Sequence, residues 1–240
     1  MTPQLILVAA SGLAREVLAV VRAHTDYEVV GYLDDDVARH GTMLDGAPVL
    51  GGLDSVTDHP GPDLLICAGR GRSRELIVER FEALGVFPVR YATVVHPSVD
   101  VPAGCDIGTG SIVLAGVALT TAVTVGSHVV VMPNVTLTHD CVVQDFGTLC
   151  AGVSLGGAVV VGRGAYVGMN AGVREHVRVG AGATLGMGAA LLEDQPDGET
   201  WVGVPARPLG EESGRARHRW AVGAASPENE AVTIDEGARA

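Results

Sequence analysis

The 240-residue chain has no lysine. All 16 of its permanently basic residues are arginine, set against 28 Asp and Glu for a net charge of −12. That balance argues against a protein that follows nucleic-acid phosphates, which needs a basic face. Aromatic residues make up only 4% of the chain although 47% of it is hydrophobic. The interior must therefore be filled by Val, Leu, Ile and Ala rather than by rings. No run is long and apolar enough to span a bilayer, which takes about 20 residues. Met1–Leu7 carries no charged leader segment, so no signal peptide is read. The four cysteines, Cys67, Cys105, Cys141 and Cys150, contain no C-x-x-C pair, which removes the common thiol-metal and redox motifs. They are expected as buried thiols in a cytoplasmic protein.

What the chain has instead is a repeat. From Val95, every sixth residue to Leu191 is Val, Ile or Leu, without a break in phase. Four residues after each comes a small or β-branched residue, from Val99 through Cys105, Cys141 and Ala165 to Ala189. A period of six fits neither a helix (3.6) nor an alternating strand (2). It fits a chain that makes a short flat side, turns and repeats. Three sides give a triangular coil of eighteen residues, and coils stack at about 4.8 Å. The large aliphatics fill the interior and the small residues sit near the corners. Glycines directly after many of the aliphatics (Gly108, Gly126, Gly156, Gly162, Gly168, Gly180 and Gly186) are expected to ease the turns by accepting positive φ.

Ahead of the repeat, apolar strands alternate with helices. Gln4–Ala9 reads as a buried strand, Leu13–His24 as a helix, and Glu28–Leu33 as a second strand ending in Asp34, Asp35 and Asp36. A short strand is expected near Val49, a short helix from Leu53 to Thr57, and a strand over Asp63–Ala68. Ser73–Leu84 reads as a helix capped by Ser73, and Val86–Tyr91 as a last strand. This order predicts a small, mostly parallel Rossmann-like sheet, with ligands outside the carboxyl ends of its strands. Gly12, Asp34, Asp35 and Arg70 are the residues expected there. The first turn holds Gly12 but has alanine at Ala9 and Ala10, so the three-glycine dinucleotide fingerprint is absent. The expected layout is an α/β domain over residues 1–92, a solenoid over 93–209 with a closing strand at Trp201–Arg207, and a disordered tail over 210–240.

Few polar residues interrupt the repeat. The hexad beginning at Leu137 places His139 outward, followed by Asp140, with Thr121 one coil below and Gly157 one coil above. An outward imidazole on a rigid coil can serve as a general base, with the adjacent carboxylate orienting it or stabilising its charged form.

These pieces resemble the hexapeptide-repeat acyltransferases that use acetyl-CoA. In particular the chain is similar to the branch of sugar acetyltransferases with a nucleotide-sugar-binding domain ahead of the β-helix, such as UDP-4-amino-sugar N-acetyltransferases and proteins named sialic acid O-acetyltransferases. The matching segments are Ser11-Gly12 with Arg15-Glu16-Val17, Gly31-Tyr32-Leu33-Asp34-Asp35, Val95-His96-Pro97, Thr138-His139-Asp140-Cys141 and Gly203-Val204-Pro205-Ala206-Arg207. The resemblance implies a left-handed parallel β-helix, a homotrimer, and acetyl-CoA as co-substrate without a metal. It implies His139 as general base beside Asp140, and an acetyl-CoA channel between subunits lined near Gly157 and Met169. Arg207 is then a candidate for a CoA phosphate. Some members carry a second His nine residues after the base to hold acetyl-CoA; here that position is Thr148.

Other readings compete. A γ-carbonic-anhydrase-type hydratase needs a second His five residues after the first, where this chain has Gln144, while His128 and His176 occupy other hexad positions. A non-catalytic solenoid scaffold, and an acyltransferase acting on a non-sugar molecule, remain open. A sugar nucleotidyltransferase requires a larger leading domain with a lysine motif. The sequence leaves open whether the acceptor is an amine or a hydroxyl, and which sugar or nucleotide carries it.

Overall fold

Strand β1 (Gln4–Val8) is an inner strand of the first sheet, and its Leu5, Ile6, Leu7 and Val8, apolar on both faces, are all fully buried. The computed structural model describes residues 2–86 and 90–210. Chain order continues with α1 (Gly12–His24), β2 (Glu28–Leu33), β3 (Met43–Leu44), β4 (Ala47–Gly51), β5 (Asp63–Ile66) and α2 (Gly71–Ala83). The sheet order is β3-β4-β2-β1-β5. β1 pairs parallel with β2 and β5, β2 parallel with β4, and β3 antiparallel with β4. Ser11 caps α1, its Oγ accepting the Ala14 N–H at 3.2 Å. The segment from Leu53 is a 3-10 turn to Asp58.

Two expectations change here. Ser73 does not cap α2. The helix begins at Gly71, with Arg70 at the capping position and no side-chain cap. The strand expected over Val86–Tyr91 falls largely on residues outside those described, though Tyr91 makes a parallel bridge with Leu64.

The repeat folds as expected, into two-residue strands on three flat sides. Side A carries seven rungs from Val94–Val95 to Thr200–Val202, side B five from Ala118–Leu119 to Ala190–Leu191, and side C five from Asp106–Ile107 to Arg178–Val179. Rungs pair parallel at a shift of eighteen, as Leu137 with Leu119 below and Leu155 above. The hexad aliphatics stack into one core, with Leu137, Leu149, Val161 and Leu185 at 0% exposure and the small residues Cys141, Ala165 and Ala183 equally buried. Each fully buried Val or Leu contributes roughly 1.5–3 kcal/mol. Val101 departs from the pattern: it is 40% exposed and outside any strand, because the first coil is incomplete.

The glycines after the aliphatics do not have the role expected of them, since none of the seven has positive φ. They are small because the next coil lies directly on them. A β-carbon on Gly162 would lie 2.5 Å from Ala181 N, and one on Gly168 2.6 Å from Met187 N. The left-handed turn residue comes two positions later. Gly104, Gly110, Gly116, Ala122, His128, Asn134, Asp140, Phe146, Gly152, Ala158, Gly164, Asn170, His176, Gly182 and Gly188 all have positive φ. Asn and Asp accept this region more readily than other non-glycine residues.

After Leu191 the chain makes one more parallel rung at Thr200–Val202, and then Arg207–Pro208 returns antiparallel beside it. The expected closing strand is therefore a strand and a return. Trp201 and Ala206 plug the coil end as part of its core. The Val204–Pro205 bond is cis. At the other end α1 lies on side A, where Leu13, Val17 and Val21 share a core with Ile112, Leu114 and Val130. The sheet and the coils thus form one compact unit, Met1–Leu209. The tail expected from 210 lies outside the described residues beyond Gly210.

Candidate active site

The corner between sides B and C carries a column of equivalent residues one coil apart: Thr121, His139, Gly157, Glu175 and Glu193. Hydrogen bonds lock the column together, Asp140 N–H to Thr121 O at 3.1 Å, Ala158 N–H to His139 O at 2.8 Å and His176 N–H to Gly157 O at 2.8 Å. His139 leans upward over Gly157, so closely that a β-carbon on Gly157 would overlap Cε1 and Nε2 of the ring. Its Nδ1 lies 2.7 Å from Asp140 Oδ2. Both side chains are exposed, at 59% and 61%. Asp140 occupies the left-handed corner position with φ 61°, which aims its short carboxylate back at the preceding ring. With Nδ1–H donated to that carboxylate, the neutral imidazole carries its lone pair on Nε2, on the Gly157 side. The N–H of Gly157 donates to none of the described residues.

Met169 sits at a different corner, between sides A and B, below Met187, and both are exposed, at 47% and 70%. Within one chain it is therefore apart from His139. Arg207 reaches Glu193, three coils above His139 in the same column, at 2.8 Å. Thr148, the residue in place of the second His of the resemblance, is buried, its hydroxyl donating to Gly69 O at 3.0 Å.

The second set of expected residues lies at the carboxyl edge of the sheet. Ala9 adopts φ 74°, the left-handed conformation a glycine would supply at the end of β1. The Asp34 carboxylate accepts the N–H groups of Ala10 at 2.7 Å and Asp36 at 2.9 Å. Asp35 accepts the Leu53 N–H at 2.9 Å and pairs with Arg80 at 2.6 Å. Arg80 is held in turn by Asp54, and these carboxylates push its guanidinium pKa upward. Together Ala9, Asp34, Asp35, Leu53, Ala68, Ser73, Leu76, Ile77 and Arg80 line a crevice of about 390 Å³. Its floor is apolar and its rim is charged. Gly12 and Arg70 do not line it. Gly12 opens α1 with free space above its Cα. Arg70 lies over the Tyr166 ring of the solenoid at 4.3 Å. Burial and its neighbour Cys150 push the Tyr166 hydroxyl up to about 12.

Sequence reasoning missed the α2 half of this crevice. Ser73, Leu76, Ile77 and Arg80 fall at the i, i+3, i+4, i+7 spacing of one helix face, and that spacing was the available signal. The side of α2 toward the coils was missed too, because its contacts are with backbone carbonyls far away in sequence. Among the described residues no His, Cys, Asp and Glu groups converge as a metal site, and no helix is long and apolar enough to cross a membrane.

Comparison with known proteins places the two halves together. Residues 4–81 match the PglD N-terminal domain. The acetyltransferase domain of PglB from Neisseria gonorrhoeae FA1090, in complex with acetyl coenzyme A, is 31% identical; the match covers 87% of this chain and 100% of that one with a TM-score of 0.79. A mutant of perosamine N-acetyltransferase from Caulobacter crescentus, in complex with CoA and GDP-perosamine, is 26% identical over 88% of this chain and 99% of that one, TM-score 0.78. WeeI from Acinetobacter baumannii AYE is 28% identical over 87% and 100%, TM-score 0.74. Among curated proteins, the UDP-3-O-acylglucosamine N-acyltransferase of Caulobacter sp. (strain K31) is 44% identical over 46 residues, a match covering 19% of this chain and only 14% of that protein. With an α/β domain of the PglD type leading into a left-handed parallel β-helix, and full-length likeness to the PglB acetyltransferase domain, this chain belongs to the hexapeptide-repeat sugar acetyltransferases.

Proposed function

We propose that the protein transfers the acetyl group of acetyl-CoA to the amino group of a sugar carried on a nucleoside diphosphate, with His139 as general base. The observation that carries this is the His139–Asp140 pair at 2.7 Å with Nε2 held over a glycine. A ring fixed in this way offers one basic nitrogen to a small open notch, and the chemistry that uses it is proton removal from an attacking nucleophile. The acceptor nitrogen attacks the thioester carbonyl carbon while its proton passes to Nε2. Asp140 stabilises the imidazolium that forms. The tetrahedral oxyanion needs a preorganised donor, and the Gly157 N–H is a donor available at the notch. The C–S bond then breaks, and the imidazolium returns its proton to the leaving CoA thiolate. No covalent enzyme intermediate is required.

The nucleotide is assigned to the carboxyl edge of the sheet. Its base and ribose fit the crevice of Asp34, Asp35, Leu76, Ile77 and Arg80, and its diphosphate fits the N-terminus of α1 at Gly12, with Arg70 following β5 at the same edge of the sheet. In this reading three chains assemble, bringing the Met169 corner of one solenoid to the His139 corner of the next, with the CoA chain between them and Arg207 at its phosphate end. The choice of amine over hydroxyl follows the Caulobacter crescentus relative, a perosamine N-acetyltransferase. A hydroxyl acceptor is the second reading.

The test is a thermal-shift titration with acetyl-CoA, UDP and GDP, because a ligand that binds only the folded state raises Tm by mass action. Shifts with acetyl-CoA and with at least one nucleotide are expected. A shift with acetyl-CoA alone detaches the enzyme from nucleotide sugars, and no shift with any ligand returns it to a non-catalytic solenoid.

A further inference from the structure

Arg74 is fully buried, yet among the described residues it forms no ion pair. Its guanidinium instead reaches six neutral acceptors on both sides of the junction between α2 and the solenoid. Nε donates to His128 O at 2.7 Å. Nη1 donates to Ala68 O at 2.8 Å and Gly69 O at 3.1 Å. Nη2 donates to Phe146 O and Gly147 O, both at 2.8 Å, and to Thr148 Oγ1 at 3.1 Å. Burial pulls its pKa down to about 10, so it remains charged at neutral pH. The carbonyls of His128 and Phe146 belong to left-handed corner residues and take no bond from the coil ladder, so they are free to accept the guanidinium.

The same junction holds the β5–α2 loop in two further ways. Thr148 Oγ1 donates to Gly69 O at 3.0 Å. Gly71 packs so closely against Phe146 O that no β-carbon fits there, and one would also stand 3.0 Å from Gly164 Cα. This loop and the first turn of α2 form the wall of the nucleotide crevice: Ala68 and Ser73 line it, while Arg70 lies on Tyr166. A group that served packing alone would be cheaper as an apolar side chain, because a buried unpaired charge costs several kcal/mol. A planar fork with five donors does what an apolar chain does not: it fixes the orientation of both peptide segments at once.

We infer that Arg74 is a positioning residue for the acceptor: it locks the crevice wall to the coil stack and sets the nucleotide site without touching the nucleotide. Thr148 is the second element of this lock. The inference rests on the reading of the crevice as the nucleotide site.

The experiment compares wild type with Arg74→Lys, Arg74→Met and Thr148→Val by isothermal titration with UDP, GDP and acetyl-CoA, on full-length protein that melts cooperatively. Thr148→Val is nearly isosteric and keeps the experiment informative should Arg74→Met fail to fold. The expected result is nucleotide binding weakened by roughly tenfold to a hundredfold in Arg74→Met, with smaller losses in Arg74→Lys and Thr148→Val. Acetyl-CoA affinity should stay within about twofold, as for an independent site. A purely structural Arg74 would lower Tm and leave all affinities unchanged, and a general loosening would weaken both ligands together; either result overturns the inference. If wild type binds acetyl-CoA but neither nucleotide, the crevice reading fails, and the inference with it, whereas nucleotide binding unaffected by the variants removes the Arg74 role alone.

Discussion

The imidazole of His139 lies over the α-carbon of Gly157 in the coil above, in space that any other residue at position 157 would fill. Gly157→Ala is therefore expected to push the ring off its Asp140 contact while the coil, whose φ there is not left-handed, still forms. The expected outcome is a loss of kcat of about a hundredfold, the scale of a misplacement near 1 Å, with cooperative melting retained. Steady-state kinetics beside a thermal melt check this.

Removal of the proposed base is the sharper change. His139→Ala should lower kcat by about 10²–10⁴ with little effect on acetyl-CoA affinity. Asp140→Asn keeps a residue that accepts φ 61° but removes the charge that stabilises the imidazolium. Its kcat should fall, because that stabilisation is lost in the transition state. An unchanged kcat would leave Asp140 only its role in the turn.

His128 gives the fold a specific acid sensitivity. It is 5% exposed, between Tyr91 and Phe146, with its Nδ1 unpartnered among the described residues. Burial, helped by nearby Arg74, lowers its pKa to about 4. The unfolded chain binds this proton below about pH 6.5, and the folded chain does not bind it until about pH 4. The stability contribution is thus fully present above pH 6.5 and is lost as pH falls toward 4, by about 3 kcal/mol in all. Urea unfolding at pH 7.5 and pH 5 should show the loss in wild type and a flatter dependence in His128→Asn, which accepts the left-handed φ of 54°.

The two kinds of glycine in the repeat predict opposite responses. Gly162, directly under the Ala181 backbone, should not accept alanine, and Gly162→Ala is expected to cost about 1–3 kcal/mol. Gly182 has φ +64° and nothing within 4 Å of a β-carbon, so Gly182→Asn should be near neutral. Denaturant midpoints of the pair measure the contrast.

The solenoid was legible because a period of six imposes itself on every coil, and the stacking of His139 between Thr121 and Gly157 followed from counting eighteen. Misplacing the turn glycines came from assigning one residue type a single role: positive φ is needed three residues beyond the aliphatic, where Asn, Asp and His also serve. Asp34 and Asp35 were placed correctly at the sheet edge, but their engagement by Ala10, Asp36, Leu53 and Arg80 depends on partners that no local pattern names. Arg74 and Thr148 were least legible. Arg74 is a buried cation with four of its six acceptors more than fifty residues away, and a helix sequence does not signal them.

The most direct test of the account is release of CoA thiol from acetyl-CoA in the presence of UDP- and GDP-linked 4-amino sugars, measured for wild type and His139→Ala. The account predicts thiol release with at least one of these acceptors, matched by acetylation of its amine, and a rate lower by about 10²–10⁴ in the variant. Absence of release with every acceptor, or a variant as fast as wild type, would contradict it.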